Sequence, residues 1–334
     1  MPTNPNKPSL ARPLLILGRV SNLPTVWSNC LAGWLLGGGG EYQRFGLLCA
    51  GASLLYIGGM FLNDACDVHF DMQHRSERPI PSGAITARTV WVLSFILLAG
   101  GASLLAAMGK PTMLVTLGLL VYIVAYDLIH KRTTFAPLLM AGCRFLLYLV
   151  AATTATGGIT SKTLWCAGSL AVYIIGLSYI ARRETERPRL GDCLKKERGC
   201  VADQPQRTSL FRTLMKCVGC CGWSRTTQPR SGVFNGLAVP LLAAPVLSGC
   251  MFATPSNAVV AISLTVLFLV WVIWSLRQIV TNKDGAVSRV VSCLLAGIVL
   301  VDMLAVQGGG GAMPLVFVLL FISALILQRK IPAT

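Results

Sequence analysis

Apolar runs of about 20 residues recur along this chain from end to end, and they limit the folds open to it more than any other feature. They lie at roughly 14–36, 45–63, 87–107, 111–129, 135–156, 164–181, 233–251, 257–277, 289–306 and 312–328. About 20 consecutive apolar residues in a helix match the thickness of a bilayer's hydrocarbon core. A soluble α/β enzyme shows apolar runs of four to eight residues with turn signals between them. Charge is scarce as well: 13% of residues are Asp, Glu, Lys or Arg, about half the share of an ordinary soluble domain. The expected fold class is therefore an all-α integral membrane protein with nine to ten transmembrane helices. It forms a single polytopic domain over 1–334, with a polar loop at 182–232.

The formal net charge of +16 raises the question of nucleic acid, and its distribution answers it. Of the 29 Lys and Arg residues, only Arg44, Lys110 and Lys162 fall in the odd-numbered loops, and, apart from Arg19 near the start of the first span and charges at span ends, only Arg144 falls within a span. The others collect at the termini and in the even-numbered loops. Such asymmetry is the positive-inside pattern, which orients a polytopic protein in its membrane. It places both termini, the 64–88 segment and the 182–232 loop in the cytoplasm, and anionic lipid accounts for the basic charge without nucleic acid. The first span is interrupted by Arg19, Asn22 and Pro24 and does not read as a cleaved signal peptide. Cys193, Cys200, Cys217, Cys220 and Cys221 all lie in the 182–232 loop. Their spacing supplies only half of a zinc site, and in a reducing compartment they read as reduced or lipidated thiols.

The densest charge follows the second span, in FLNDACDVHFDMQHRSERPIPSG, residues 61–83. At 100° per residue, Asp64, Asp67 and Asp71 fall within about 60° of one another on a helix. Three carboxylates on one stripe repel unless a cation sits among them. Hard oxygen ligands suit Mg²⁺, which completes its shell with water and substrate phosphates. A carboxylate stripe where an apolar helix reaches the interface suits a diphosphate whose tail lies in lipid, a polyprenyl diphosphate. Arg75 and Arg78 are placed to donate charge-assisted hydrogen bonds to its oxygens. Within the membrane, Arg144 and Asp302 are the buried charges; such groups face a cavity or a partner. Arg144 is taken as a substrate-binding residue, with a pair to Asp302 left open. Arg19, Asn22 and Asn29 could line the same cavity, and Tyr148, one turn after Arg144, could stabilise a carbocation.

N-D-x-x-D-x-x-x-D at 63–71 followed by RPIPSG at 78–83 resembles the first aspartate-rich motif of the UbiA superfamily of membrane prenyltransferases. GRVSNLPTVWSNCLAGW and YDLIHKRTTFAPLLMAGCRFLLYLVAA resemble its first helix and second cytoplasmic segment. LNDA, HK and SYIAR.E are closest in texture to its EboC-like branch. The resemblance implies a ring of helices around a central cavity, and Mg²⁺-assisted transfer of a prenyl group to a hydrophobic, aromatic acceptor. Asn63, Asp64, Asp67 and Asp71 would bind the diphosphate through the metal. Tyr126 and Lys131 would touch it as well, although Lys131 stands one position later than in the family's Tyr-x-x-x-Lys, where His130 reads as a structural interfacial residue. The second aspartate motif is altered: SYIARRETERP offers Glu184 as catalytic and metal-binding residue. That departure keeps a second reading open, a non-catalytic or transport-associated protein that binds an isoprenoid lipid on the same fold. If Glu184 serves the metal, Glu184→Gln slows transfer and weakens its Mg²⁺ dependence. Glu186, about 200° further round a helix, behaves as the parent when changed to Gln. Equal rates for both variants in a transfer assay would remove Glu184 from the site.

Overall fold

The computed structural model describes residues 11–130, 133, 135–185, 238–280, 286–307 and 313–331. Every regular element among them is helical. Eight helices are long and apolar enough to cross a membrane: α3 (Tyr42–Cys66), α5 (Ala87–Ala106), α6 (Lys110–Ile129), α7 (Ala136–Thr154), α8 (Ser161–Thr185), α10 (Ala258–Val280), α11 (Ala286–Ala305) and α12 (Met313–Lys330). The four shorter helices are α1 (Ala11–Leu17), α2 (Leu23–Leu36), α4 (Val68–His74) and α9 (Ala244–Met251). Val259, Val121 and Leu247 stand exposed on the outer surface at 78%, 65% and 69%. That much open apolar surface belongs against lipid, and the chain is a multi-pass membrane protein.

Two of the ten expected spans are not continuous helices. The first breaks at Arg19, whose backbone is left-handed at φ 42°, with a 3₁₀ turn over Val20–Asn22 before α2 starts at Leu23. Pro24 explains where the new helix begins, since proline fits the first turn, where no backbone N–H is needed. A side chain in the left-handed region costs about 1–2 kcal/mol, so contacts must hold Arg19 there. The seventh breaks at Ala243, and Pro245 opens α9 in the same way. The 25 residues of α3, by contrast, run unbroken to the interface.

Helix α2 is the hub. It packs against α3, α7, α8, α11 and α12, and eleven of its residues are buried. Gly33 permits the close approach to α7: a Cβ there would stand 2.6 Å from the Tyr148 carbonyl oxygen. Gly37, one turn on, meets Ala152 in the same way. Small residues four apart let helix backbones touch in a membrane, where packing rather than water drives association.

This contact aligns a polar network at the bundle's centre. Arg144 of α7 donates to the Thr25 carbonyl oxygen at 3.2 Å, to Thr25 Oγ1 at 3.1 Å and to Asn29 Oδ1 at 2.7 Å. Asn29 Nδ2 donates in turn to Asp302 Oδ2 of α11 at 2.7 Å. Ser28 and the Tyr148 hydroxyl also donate to Asp302. Arg144 and Asp302 are therefore linked through Asn29. The expected Tyr148 face for a carbocation is not offered: the ring is 0% exposed and its hydroxyl is turned to Asp302. Removing one member of a buried charge network strands the rest at about 3–5 kcal/mol. Asp302→Ala should therefore lower stability by about 3 kcal/mol, and Asp302→Asn by less. Thermal unfolding of the detergent-solubilised protein checks both.

Candidate active site

Asn63, Asp64, Asp67 and Asp71 occupy the last turn of α3, its junction with α4, and α4 itself. Asp67 is the junction residue, with φ −88° and ψ −1°, and the backbone hydrogen bonds continue across it: Asp67 N to Asn63 O at 3.0 Å and Asp71 N to Asp67 O at 2.9 Å. The near-helical path keeps all three aspartates on one side, as their spacing requires. All are buried, Asp71 most deeply at 2% exposure.

The segment 75–86 folds back over them. Ile80 and Ile85 pack with Leu17, Phe61, Ala65 and Val90 in a small apolar cluster. Gly83 turns the chain at φ 76°, a value that side chains rarely adopt. Thr86 then caps α5, its Oγ1 accepting the Thr89 N–H at 3.2 Å. This turn delivers Arg78 to the carboxylates, where Nη1 donates to Asp71 Oδ2 at 2.7 Å and to Asp64 Oδ1 at 3.1 Å. Arg19 arrives from the break in the first span, its Nη2 lying 3.9 Å from Asp64 Oδ1. The left-handed backbone at Arg19 thus has a local reason. It aims the guanidinium at Asp64, while the Arg19 carbonyl accepts the Tyr56 hydroxyl at 3.5 Å.

The end of α6 completes the cluster. Tyr126 stacks on His130 with ring centroids 5.0 Å apart. His130 Nε2 lies 3.5 Å from Asp67 Oδ2, so this histidine faces the carboxylates and is not confined to the interfacial role expected of it. Asp127, passed over in the sequence, is buried beside them and accepts Asn63 Nδ2 at 3.1 Å. The signal that could have found it is an acid at the end of an otherwise apolar helix, next to Tyr126.

Other expected residues stand apart. The Arg75 side chain pairs with no carboxylate among the described residues. Asn22 Oδ1 accepts Gln328 Nε2 of α12 at 3.3 Å. Arg144 lies deeper, its guanidinium 5.9 Å from the Tyr56 ring. Lys131, Glu186 and the loop cysteines fall outside the described residues, as does the Glu184 side chain at the end of α8. That helix end is nonetheless tied to the segment after α6, where Arg182 Nη2 donates to the Thr133 carbonyl oxygen at 3.3 Å.

The donor set suits a divalent cation shared with a diphosphate. The donors are hard carboxylate oxygens, and Asp71 Oδ1 is buried with no hydrogen-bond partner among the described residues. No three His, Cys, Asp or Glu side chains among the described residues already surround one point, and Arg78 bridges Asp64 and Asp71. Mg²⁺ commonly takes only one or two carboxylates and draws its remaining ligands from substrate and water. Arg78→Ala would leave Asp71 without its guanidinium and should cost about 3 kcal/mol. Added Mg²⁺ should recover more of the melting temperature in that variant than in the parent, because the ion neutralises the same carboxylates.

The UbiA prenyltransferase family model matches residues 22–189, half of the chain. A 4-hydroxybenzoate octaprenyltransferase of Pectobacterium atrosepticum is 27% identical over 150 residues, 44% of this chain and 52% of the relative. A digeranylgeranylglyceryl phosphate synthase of Metallosphaera sedula is 32% identical over 123 residues, 36% of this chain and 43% of the relative. The chain spans about half the length of the curated relatives it matches. Solved structures share the fold over more of it. A UbiA homologue from Archaeoglobus fulgidus bound to GPP and Mg²⁺ has a TM-score of 0.54 at 12% identity, covering 95% of this chain and 99% of the other. A digeranylgeranylglyceryl phosphate synthase structure has a TM-score of 0.56 at 15% identity, covering 90% and 98%. The matched region holds the aspartate cluster, the Tyr126–His130 turn and Arg144, and the chain belongs to the UbiA prenyltransferase family.

Proposed function

We propose that this protein is a prenyltransferase that moves an isoprenoid group from a polyprenyl diphosphate to an aromatic acceptor within the membrane. The observation that carries this reading is the buried carboxylate cluster of Asp64, Asp67 and Asp71, interleaved with Arg19 and Arg78 at the end of apolar α3. A diphosphate headgroup fits such a place, because its charge needs cations and its tail needs lipid.

Asp64, Asp67 and Asp71 would hold Mg²⁺, joined by Glu184 from the end of α8. The ion supplies charge neutralisation for the leaving diphosphate. Arg78 compensates Asp64 and Asp71 until substrate arrives, and its guanidinium then serves the diphosphate oxygens, with Arg19 beside it. Asn63, Tyr126, Lys131 and Arg75 would add polar contacts to the same headgroup. The allylic C–O bond breaks with its electron pair going to the diphosphate. The resulting cation bonds to an acceptor ring carbon, which then releases a proton. Tyr56 stands eight residues before Asp64 on α3, about 12 Å deeper along the helix axis, and its ring lies against Arg144. That depth suits an acceptor below the headgroup, with Arg144 and Asn22 on its polar side. The cluster and both termini are assigned to the cytoplasmic face, where the positive-inside pattern puts them.

Asp64→Ala should reduce prenyl transfer from geranyl diphosphate at least about a hundredfold, the scale for losing leaving-group stabilisation. The protein should remain folded in membranes. Product formation with radiolabelled substrate measures this, and activity near the parent's would remove the cluster from catalysis. Tight binding of the diphosphate by the parent, without Mg²⁺-dependent release of diphosphate, would indicate the lipid-binding alternative.

A further inference from the structure

Asp127 carries more than a structural anchor requires. It sits in the last turn of α6 at 4% exposure. One oxygen, Oδ1, accepts Asn63 Nδ2 at 3.1 Å. The other, Oδ2, is buried and has no hydrogen-bond partner among the described residues. Asn63, which bonds it, directly precedes Asp64 on α3, and His130, one turn further along α6, lies 3.5 Å from Asp67 Oδ2, so Asp127 borders the site. Leaving a charged oxygen buried without a donor is costly. Anchoring Asn63 needs only a single acceptor oxygen, which a neutral asparagine would supply without that cost. The anchor role thus explains Oδ1 and leaves Oδ2 unexplained.

We propose that Asp127 is a fourth carboxylate of the diphosphate site, a divalent-cation ligand brought in by α6. The proposal rests on the prenyl-transfer reading above and extends it. The other three aspartates come from one strip of chain at the α3–α4 junction. Arg78 engages Asp64 and Asp71, whereas Asp127 enters from a different helix on the side of Asp67 and His130. Asn63 then has a role of its own: its amide fixes Asp127 Oδ1 and leaves Oδ2 to the ion, as hydrogen-bonded neighbours commonly orient metal ligands. The altered acidic segment after α8 leaves room for such a carboxylate, because a ligand on α6 reduces what Glu184 must supply.

The test is Mn²⁺ binding by the purified full chain in detergent, with geranyl thiolodiphosphate present as an unreactive probe. Electron paramagnetic resonance of free Mn²⁺ reads the affinity. Asp127→Asn keeps the size and the bond from Asn63, and should weaken Mn²⁺ binding at least about tenfold, the scale for disturbing a metal site. Asp127→Glu restores the charge and should bind within about threefold of the parent. That order separates a ligand from an anchor, because a buried anchor tolerates the isosteric Asn better than the longer Glu. Parent-like binding by Asp127→Asn, or weaker binding by Asp127→Glu than by Asp127→Asn, would overturn the proposal. If Asp127→Asn does not fold, Asp127→Glu decides alone, since loss of Mn²⁺ binding there overturns it too. Asp64→Asn is the control for the parent reading. If Asp64→Asn loses binding while Asp127→Asn keeps it, only the role of Asp127 falls. If the parent binds no Mn²⁺, both fall together.

Discussion

The bridge made by Asn29 between Arg144 and Asp302 is the contact on which the rest of the architecture depends. A guanidinium and a carboxylate in the middle of a bundle are each costly in isolation. Here one asparagine presents its carbonyl oxygen to the cation and its amide to the anion. The three residues belong to α7, α2 and α11, so satisfying them fixes those helices relative to one another. Lipid offers no hydrophobic force between helices, and polar contacts of this kind, with close backbone approach, must supply the specificity. Gly33 and Gly37 supply the approach, and Asn29, a turn before Gly33, sits where the network needs it.

From that hub the site follows. Helix α2 packs against α3, α7, α11 and α12, and the chain before it departs through a left-handed residue at Arg19. Arg19 then reaches Asp64 from one side while the 75–86 turn brings Arg78 from the other. Four carboxylates from α3, the α3–α4 junction, α4 and α6, and two guanidiniums from two separate turns, meet at one end of the bundle. On the function proposed above, this arrangement would suit a polyanion with a cation, while Arg19 and Arg78 offset the repulsion between Asp64 and Asp71. The cost of holding them together is met by apolar packing beneath, where Ile80 and Ile85 seat the turn on Leu17 and Phe61.

Much of this was legible in the residues themselves. Apolar runs of bilayer length announced a membrane bundle, because a backbone in hydrocarbon must satisfy its own hydrogen bonds and helices do so within one segment. The three- and four-residue spacing of Asp64, Asp67 and Asp71 placed them on one face, because helical periodicity is local geometry. Buried charges at Arg144 and Asp302 marked the interior, since neither is tolerated against lipid. What joins these parts depended on contacts far apart in sequence. Nothing local distinguishes Asn29 as the link between two charges, or shows that Tyr148 turns its hydroxyl to Asp302 rather than offering its face to substrate. The polar interruption at Arg19, Asn22 and Pro24 marks the first span as irregular without showing its left-handed turn, and the break at Ala243 lies inside a run that hydropathy reads as continuous. Asp127 and His130 joined the site only when the end of α6 docked beside α3. Sequence alone determined that the chain is a bundle of membrane helices and which acids share a face, because those properties are set within a few turns of chain. Tertiary structure decided which charges meet, because a hydrogen bond between distant helices depends on the packing of every helix between them.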